Sequence, residues 1–134
     1  VSVEANKQLV RDWVKAVYDG DEAGIRKGLA DDAVWIFPGD LPVNGIYEGA
    51  DAIVNDLLGT EAMPLYEPNS LTHEVTCIIA DESNVAVEWR GQGRSAKGKT
   101  YDNRYAFFFE VRDGLITSVR EHCDTLYVKE VLYA

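Results

Sequence analysis

The chain is short of cysteine, of basic residues and of long apolar runs, and each shortage removes a class of function. Cys77 and Cys123 are its only cysteines, too few to staple a disulfide scaffold. Neither belongs to a Cys-x-x-Cys pair, which argues against zinc binding and thioredoxin-like chemistry. They read as reduced, partly buried thiols of a cytoplasmic protein. Lys and Arg number 13 against 23 Asp and Glu, a formal charge of −10. Such a surface repels nucleic acid and anionic membrane, so neither is an expected partner. The longest apolar stretches fall far short of the ~20 residues that span a bilayer. The opening Val1-Ser2-Val3-Glu4 lacks the apolar core of a signal peptide, although the missing methionine leaves a trimmed leader open. Nothing linker-like, repeated or of low complexity divides the chain.

What is present is enough for one packed domain over residues 1–134. Hydrophobic residues make up 46% of the chain, which excludes a disordered protein sustained by charge. A domain of this length buries a real core and has room for one internal pocket. Leu9, Val10, Trp13, Val14, Ala16 and Val17 recur at helical spacing and predict an amphipathic helix over 4–19. Gly20 stops it, and Asp21 caps a second helix over 22–29. Ala33-Val34-Trp35-Ile36-Phe37 reads as a short strand ended by Pro38-Gly39. A loop over 38–48 and a helix near 49–59 follow. Strands are expected over 70–80, 84–93, 100–112 and 115–124, with a helical piece over 126–132 closing the chain. Helices first and an antiparallel meander afterwards spell α+β, with helices covering one face of a curved sheet. A lidded, curved sheet is a cone, and its inside is a pocket.

Several segments carry a family resemblance. Gly98-Lys99-Thr100-Tyr101, Asn103-Arg104-Tyr105-Ala106-Phe107-Phe108-Phe109, Asp113-Gly114-Leu115-Ile116-Thr117 and Arg120-Glu121 resemble the C-terminal half of SnoaL-like proteins. Tyr18-Asp19-Gly20-Asp21 and Leu29-Ala30-Asp31-Asp32-Ala33 are similar to the same group's helix-to-strand junction. The resemblance spans nearly the whole chain and implies the cone-shaped α+β domain, with a mixed sheet, of the nuclear transport factor-like, ketosteroid isomerase-like superfamily. That superfamily holds isomerases, cyclases, hydrolases and binders, so it speaks for fold more than for reaction.

Among its catalytic families, limonene epoxide hydrolase aligns best. Its acid–Arg–acid network implies Glu121 as base and, with a two-residue gap before Gly98, Arg90 as the network arginine. Gln92 then stands at the second acid. Without the gap, Glu88 and Arg90 take those two positions with their charges exchanged. Trp35 and Phe37 occupy the places of the water-holding Tyr and Asn. In ketosteroid isomerase terms, Phe37 lies near the proton-shuttling aspartate and Trp13 replaces the tyrosine of the first helix.

Strand parity tests Glu121 independently. Leu115, Thr117, Val119, Glu121 and Cys123 share one face by alternation, and Glu121 is its lone acid. Tyr101, Asn103, Tyr105, Phe107 and Phe109 form the aromatic face of the preceding strand. A three-residue loop Arg112-Asp113-Gly114 puts Tyr105 opposite Glu121 and joins the two apolar faces. A two-residue turn Asp113-Gly114 puts Tyr105 opposite His122 and Asn103 opposite Asp124. The first is preferred because it unites the faces, which makes Glu121 the leading acid and Asp124 the reserve.

A carboxyl inside an apolar cone has a raised pKa unless a cation holds it ionised, and Arg90 is the expected cation. Tyr105 and Asn103 are expected to orient a substrate oxygen, with Trp13, Trp35, Phe37, Glu88, Gln92 and Phe107 contributing to binding. His73 reads as a core or pocket-edge residue, and His122 as part of the outer face. No metal or other cofactor is expected. Two functions remain in view. One is an enzyme working by acid/base chemistry on a hydrophobic, oxygen-bearing small molecule; the other is a non-catalytic domain that binds a ligand or protein. Arg104, Ala106, Phe108 and Arg120 give the outer sheet face a mixed surface, so a homodimer is expected.

Overall fold

A computed structural model describes residues 2–134. Helix α1 (Val3–Asp19) turns Val10, Trp13 and Val14 into the core. Ser2 caps its start by accepting the Ala5 N–H, and Gly20 ends it at φ 68°, a left-handed conformation that favours glycine. Asp21 caps α2 (Glu22–Gly28) by accepting the Gly24 N–H.

Six strands follow: β1 (Leu29–Phe37), β2 (Gly45–Glu48), β3 (Thr72–Ala80), β4 (Asn84–Arg94), β5 (Thr100–Arg112) and β6 (Leu115–Cys123). They form one curved sheet in the order β2-β1-β6-β5-β4-β3. β1 runs parallel to β6 and every other neighbouring pair is antiparallel. The fold is thus the α+β cone with a mixed sheet. A π-wound helix (Ala52–Ala62), a 3-10 turn (Met63–Leu65) and C-terminal helix α3 (Thr125–Val128), continued by Lys129–Tyr133, supply the remaining walls. Lys97 and Lys99, between β4 and β5, donate to the carbonyls of Tyr133, Glu130 and Ala134, which satisfies groups that a helix C-terminus leaves unpaired. Among the described residues, no helix is long and apolar enough to cross a membrane.

Four expectations need correction. β1 begins at Leu29, four residues early, and segment 38–48 is not all loop. Gly45-Ile46-Tyr47-Glu48 pairs with β1 as an edge strand, Trp35 opposite Tyr47; with Ile46 65% exposed, it carries little of the burial pattern that reveals a strand. The third helix begins at Ala50, as expected, and runs on to Ala62. A bulge between Val75 and Cys77 turns Ile78 and Ala80 inward, so Cys77 is exposed rather than partly buried.

The fourth concerns register. Asp113 and Gly114 both have positive φ (53° and 74°) and form the two-residue hairpin turn that such backbone favours. Arg112 therefore pairs with Leu115 and Val111 with Ile116. An extra residue at Thr117 then shifts the ladder, so that Phe107 faces Glu121 and Tyr105 faces Cys123. Neither expected pairing of Tyr105 occurs. The inner faces are united all the same, by a bulge inside the strand instead of a longer turn. Leu115 consequently points outward, while Ile116 is fully buried.

Candidate active site

The concave face of the sheet and the helices over it enclose a cavity of about 100 Å³. All three tryptophans of the chain, Trp13, Trp35 and Trp89, line it. Trp13 comes from α1 and is fixed by its indole N–H, which donates to the Ile25 carbonyl at 3.0 Å. Trp35 and Phe37 come from the inner face of β1, Phe107 from β5, and Leu57 and Leu58 from the π-wound helix. The rings interlock edge to face, Trp35 with Phe107 and Trp13 with Phe109, at 5.6 Å between centroids, a geometry that aromatic quadrupoles favour.

Among the described residues, Glu121 is the one carboxyl in this wall, 8% exposed. Its Oε1 accepts the Trp35 indole N–H at 3.0 Å. Burial pushes its pKa up to about 8, and the hydrogen bond from Trp35 opposes that rise. Near neutrality the group is therefore mostly protonated, able to donate at one oxygen while the other is held.

A second polar group sits among the tyrosines. The Tyr101 and Tyr105 hydroxyls lie 2.5 Å apart, and Asn103 Nδ2 donates to Tyr101 at 3.1 Å. Desolvation raises the pKa values of both tyrosines, that of Tyr101 to about 12. Tyr66 packs its ring against Tyr101, edge to face at 5.3 Å. Tyr18 takes the Trp89 indole N–H at 2.7 Å and lies against the His73 ring at 4.8 Å. Gly91 makes room for it: a Cβ there would sit 2.5 Å from the Tyr18 hydroxyl. Cys123 borders the same cavity, its thiol pushed up in pKa chiefly by burial.

The structure brings Glu121, Tyr105, Trp13, Trp35, Phe37 and Phe107 together around the cavity. It does not bring Arg90, Glu88, Gln92, Asn103 or Asp124 to it. On β4 the inner face is Val85, Val87, Trp89 and Gly91, so alternation turns Glu88, Arg90 and Gln92 outward. Arg90 makes a two-pronged contact with Asp102, at 2.8 and 2.6 Å, and cannot serve Glu121. Glu88 accepts from Thr76 at 2.8 Å. Asp124 is exposed and caps α3 by accepting the Tyr127 N–H. Asn103 is buried but acts behind the wall, on Tyr101. The acid–Arg–acid network is thus not assembled. Tyr18, Tyr66, Tyr101 and Trp89 escaped the sequence reading as site residues, although the run Val85-Val87-Trp89 signals which face of β4 is inner. Among the described residues, no three His, Cys, Asp or Glu side chains gather to hold a metal ion.

Fold and cavity together define a cone-shaped α+β domain with an acid inside an aromatic pocket. A family model described as a SnoaL-like domain matches residues 10–119, and the chain belongs to that family. It is similar to an NTF2-like protein from Burkholderia xenovorans LB400, with 27% identity, TM-score 0.77 and 98% of each chain covered. It is also similar to a candidate SnoaL-like polyketide cyclase from Jannaschia sp. CCS1, with 19% identity, TM-score 0.82 and coverage of 98% of this chain and 93% of that one. TerC, co-crystallised with polyporic acid, shares 21% identity at TM-score 0.84, over 97% and 99% of the two chains. No curated protein matches.

Proposed function

We propose that this protein is a small enzyme that moves a proton on an apolar, oxygen-bearing small molecule, with isomerase- or cyclase-type chemistry, and that Glu121 is its acid and base. The observation that carries this reading is a lone carboxyl inside an aromatic cavity, held by one indole N–H and by no cation. Desolvation tunes such a group toward neutral pH, where it can both give and take a proton. Water activation of the epoxide hydrolase type finds less support, because Arg90 and Gln92 lie on the far side of the sheet. The outer face, around Phe108 and Arg120, is proposed to seat a second copy of the chain, and the free thiols suit a cytoplasmic setting.

The test needs no natural substrate. Cyclohexanone in D₂O exchanges the protons next to its carbonyl by enolisation, and NMR follows the loss of signal. The protein is expected to speed this exchange, and Glu121→Gln to lose roughly 10²-fold or more of the enhancement. No enhancement, or one that survives Glu121→Gln, overturns the reading and leaves a binding domain of the same fold.

A further inference from the structure

We infer that the cavity takes an uncharged ring compound carrying two acceptor oxygens on separate sides, one received by the Glu121 carboxyl and the other by the Tyr66–Tyr101–Tyr105 hydroxyl cluster. The inference rests on the reading of Glu121 as the polar residue of the pocket and adds the class of molecule it serves.

Three observations lead to it. The first is charge. Among the described residues that line the cavity there is no Lys, Arg or His. A carboxylate or phosphate would enter beside Glu121 without a counter-charge, and burying an unpaired anion is prohibitive.

The second is the number of protons that the tyrosine hydroxyls carry. Asn103 Oδ1 accepts the Arg104 N–H at 2.9 Å, which fixes the side-chain amide so that Nδ2 is the end facing Tyr101. Nδ2 donates to the Tyr101 hydroxyl, and Tyr101 and Tyr105 share one hydrogen bond in which either can be the donor. Tyr66, whose ring packs against Tyr101 at 5.3 Å, adds a third tyrosine to those lining the cavity. The Tyr101–Tyr105 bond uses one of their two hydroxyl protons, so whichever way it runs the other proton is left for whatever occupies the cavity. Glu121, protonated near neutrality, likewise offers one from the oxygen that Trp35 leaves free. Both polar groups are therefore donors, and each asks for an acceptor.

The third is position and size. Glu121 lies opposite Phe107, whereas Tyr105 is two residues along β5, opposite Cys123. The Tyr105 hydroxyl extends further still, toward Tyr101 at i−4. The two donors are thus separated along the strand, as they would be across a ring. A cavity of about 100 Å³ is somewhat smaller than the engineered ~150 Å³ cavity that accepts benzene, so a single six-membered ring is the scale it admits before its helices shift.

The test compares cyclohexane-1,4-dione, cyclohexanone and cyclohexanecarboxylate at pH 7. Because every tryptophan lines the cavity, intrinsic fluorescence reads binding directly. The dione is expected to bind about tenfold more tightly than cyclohexanone, the value of one added hydrogen bond, and the carboxylate not at all. Tyr105→Phe should bring dione and monoketone within about twofold of each other. Tyr66→Phe, at a partly exposed position, should narrow the same ratio and guards against misfolding of the first variant. Dione and cyclohexanone within twofold on the unaltered protein, or carboxylate binding tighter than either ketone, overturns the inference. Loss of the dione preference with Glu121-dependent exchange intact removes this inference alone. Absent exchange with the preference intact removes the acid/base reading and leaves a two-donor binding pocket.

Discussion

Trp35 and Glu121, 86 residues apart in the chain, meet through one hydrogen bond of 3.0 Å inside an aromatic wall. The first consequence is for stability against pH. The folded pKa of Glu121, about 8, lies above the unfolded value, so between the two the folded state holds a proton that the unfolded state has released. Stability is then fully present below about pH 4.5 and is lost as pH rises through about 8. The slope approaches about 1.4 kcal/mol per pH unit for this group alone. Chemical denaturation from pH 5 to 8 should show the fall, and Glu121→Gln should remove this component of it. Equal slopes in the two proteins would mean that Glu121 is not desolvated.

Trp35→Phe keeps the ring in the wall and removes the donor. Because that N–H favours the charged carboxylate, its loss should move the Glu121 midpoint further upward. The buried acceptor left behind should cost about 1–3 kcal/mol. The same pH series of denaturation curves reads both effects. A stability loss without a shifted midpoint would reduce Trp35 to packing.

Arg90→Gln breaks the two-pronged contact with Asp102, whose partners remain 39% and 36% exposed. Half-exposed pairs contribute little, so stability should change little. The Glu121 midpoint should stay where it is. A clear shift would return Arg90 to the acid network.

On the outer face, Phe108 is 43% exposed, flanked by His122 at 5.8 Å and by the Arg120 guanidinium at 6.0 Å. If a second copy covers this face, light scattering should give about twice 14.9 kDa, and Phe108→Glu should return the mass to that of one chain. A single-chain mass for the unaltered protein would remove the dimer.

Much of the architecture was legible because it rests on periodicity. The apolar spacing of α1 and the alternation of β4 and β5 each carry a local signal. Glu121 was legible for the same reason, as the lone acid on an apolar strand face. What stayed hidden has no local pattern. The bulges at Thr76 and Thr117 add one residue without a turn signal, so Cys77 and Leu115 landed on the wrong face. Arg90 was assigned by resemblance against the parity of its own strand, and Trp89, two residues away from Gly91 on the inner face, shows what parity would have selected. Tyr18 and Tyr66 come from a helix end and an irregular segment, and only the closed structure brings them to the strands.

The parallel seam between β1 and β6 also has a kinetic meaning. β3 to β6 are joined by short connections and can pair locally, whereas β6 gains its other neighbour only when the opening third of the chain returns to it. Contacts at such separation are the slow ones to form. Until that seam closes, Glu121 has no indole beside it and faces water as an ordinary carboxylate. The raised pKa of the pocket acid thus depends on closure of the β1–β6 seam, which sets Trp35 beside it.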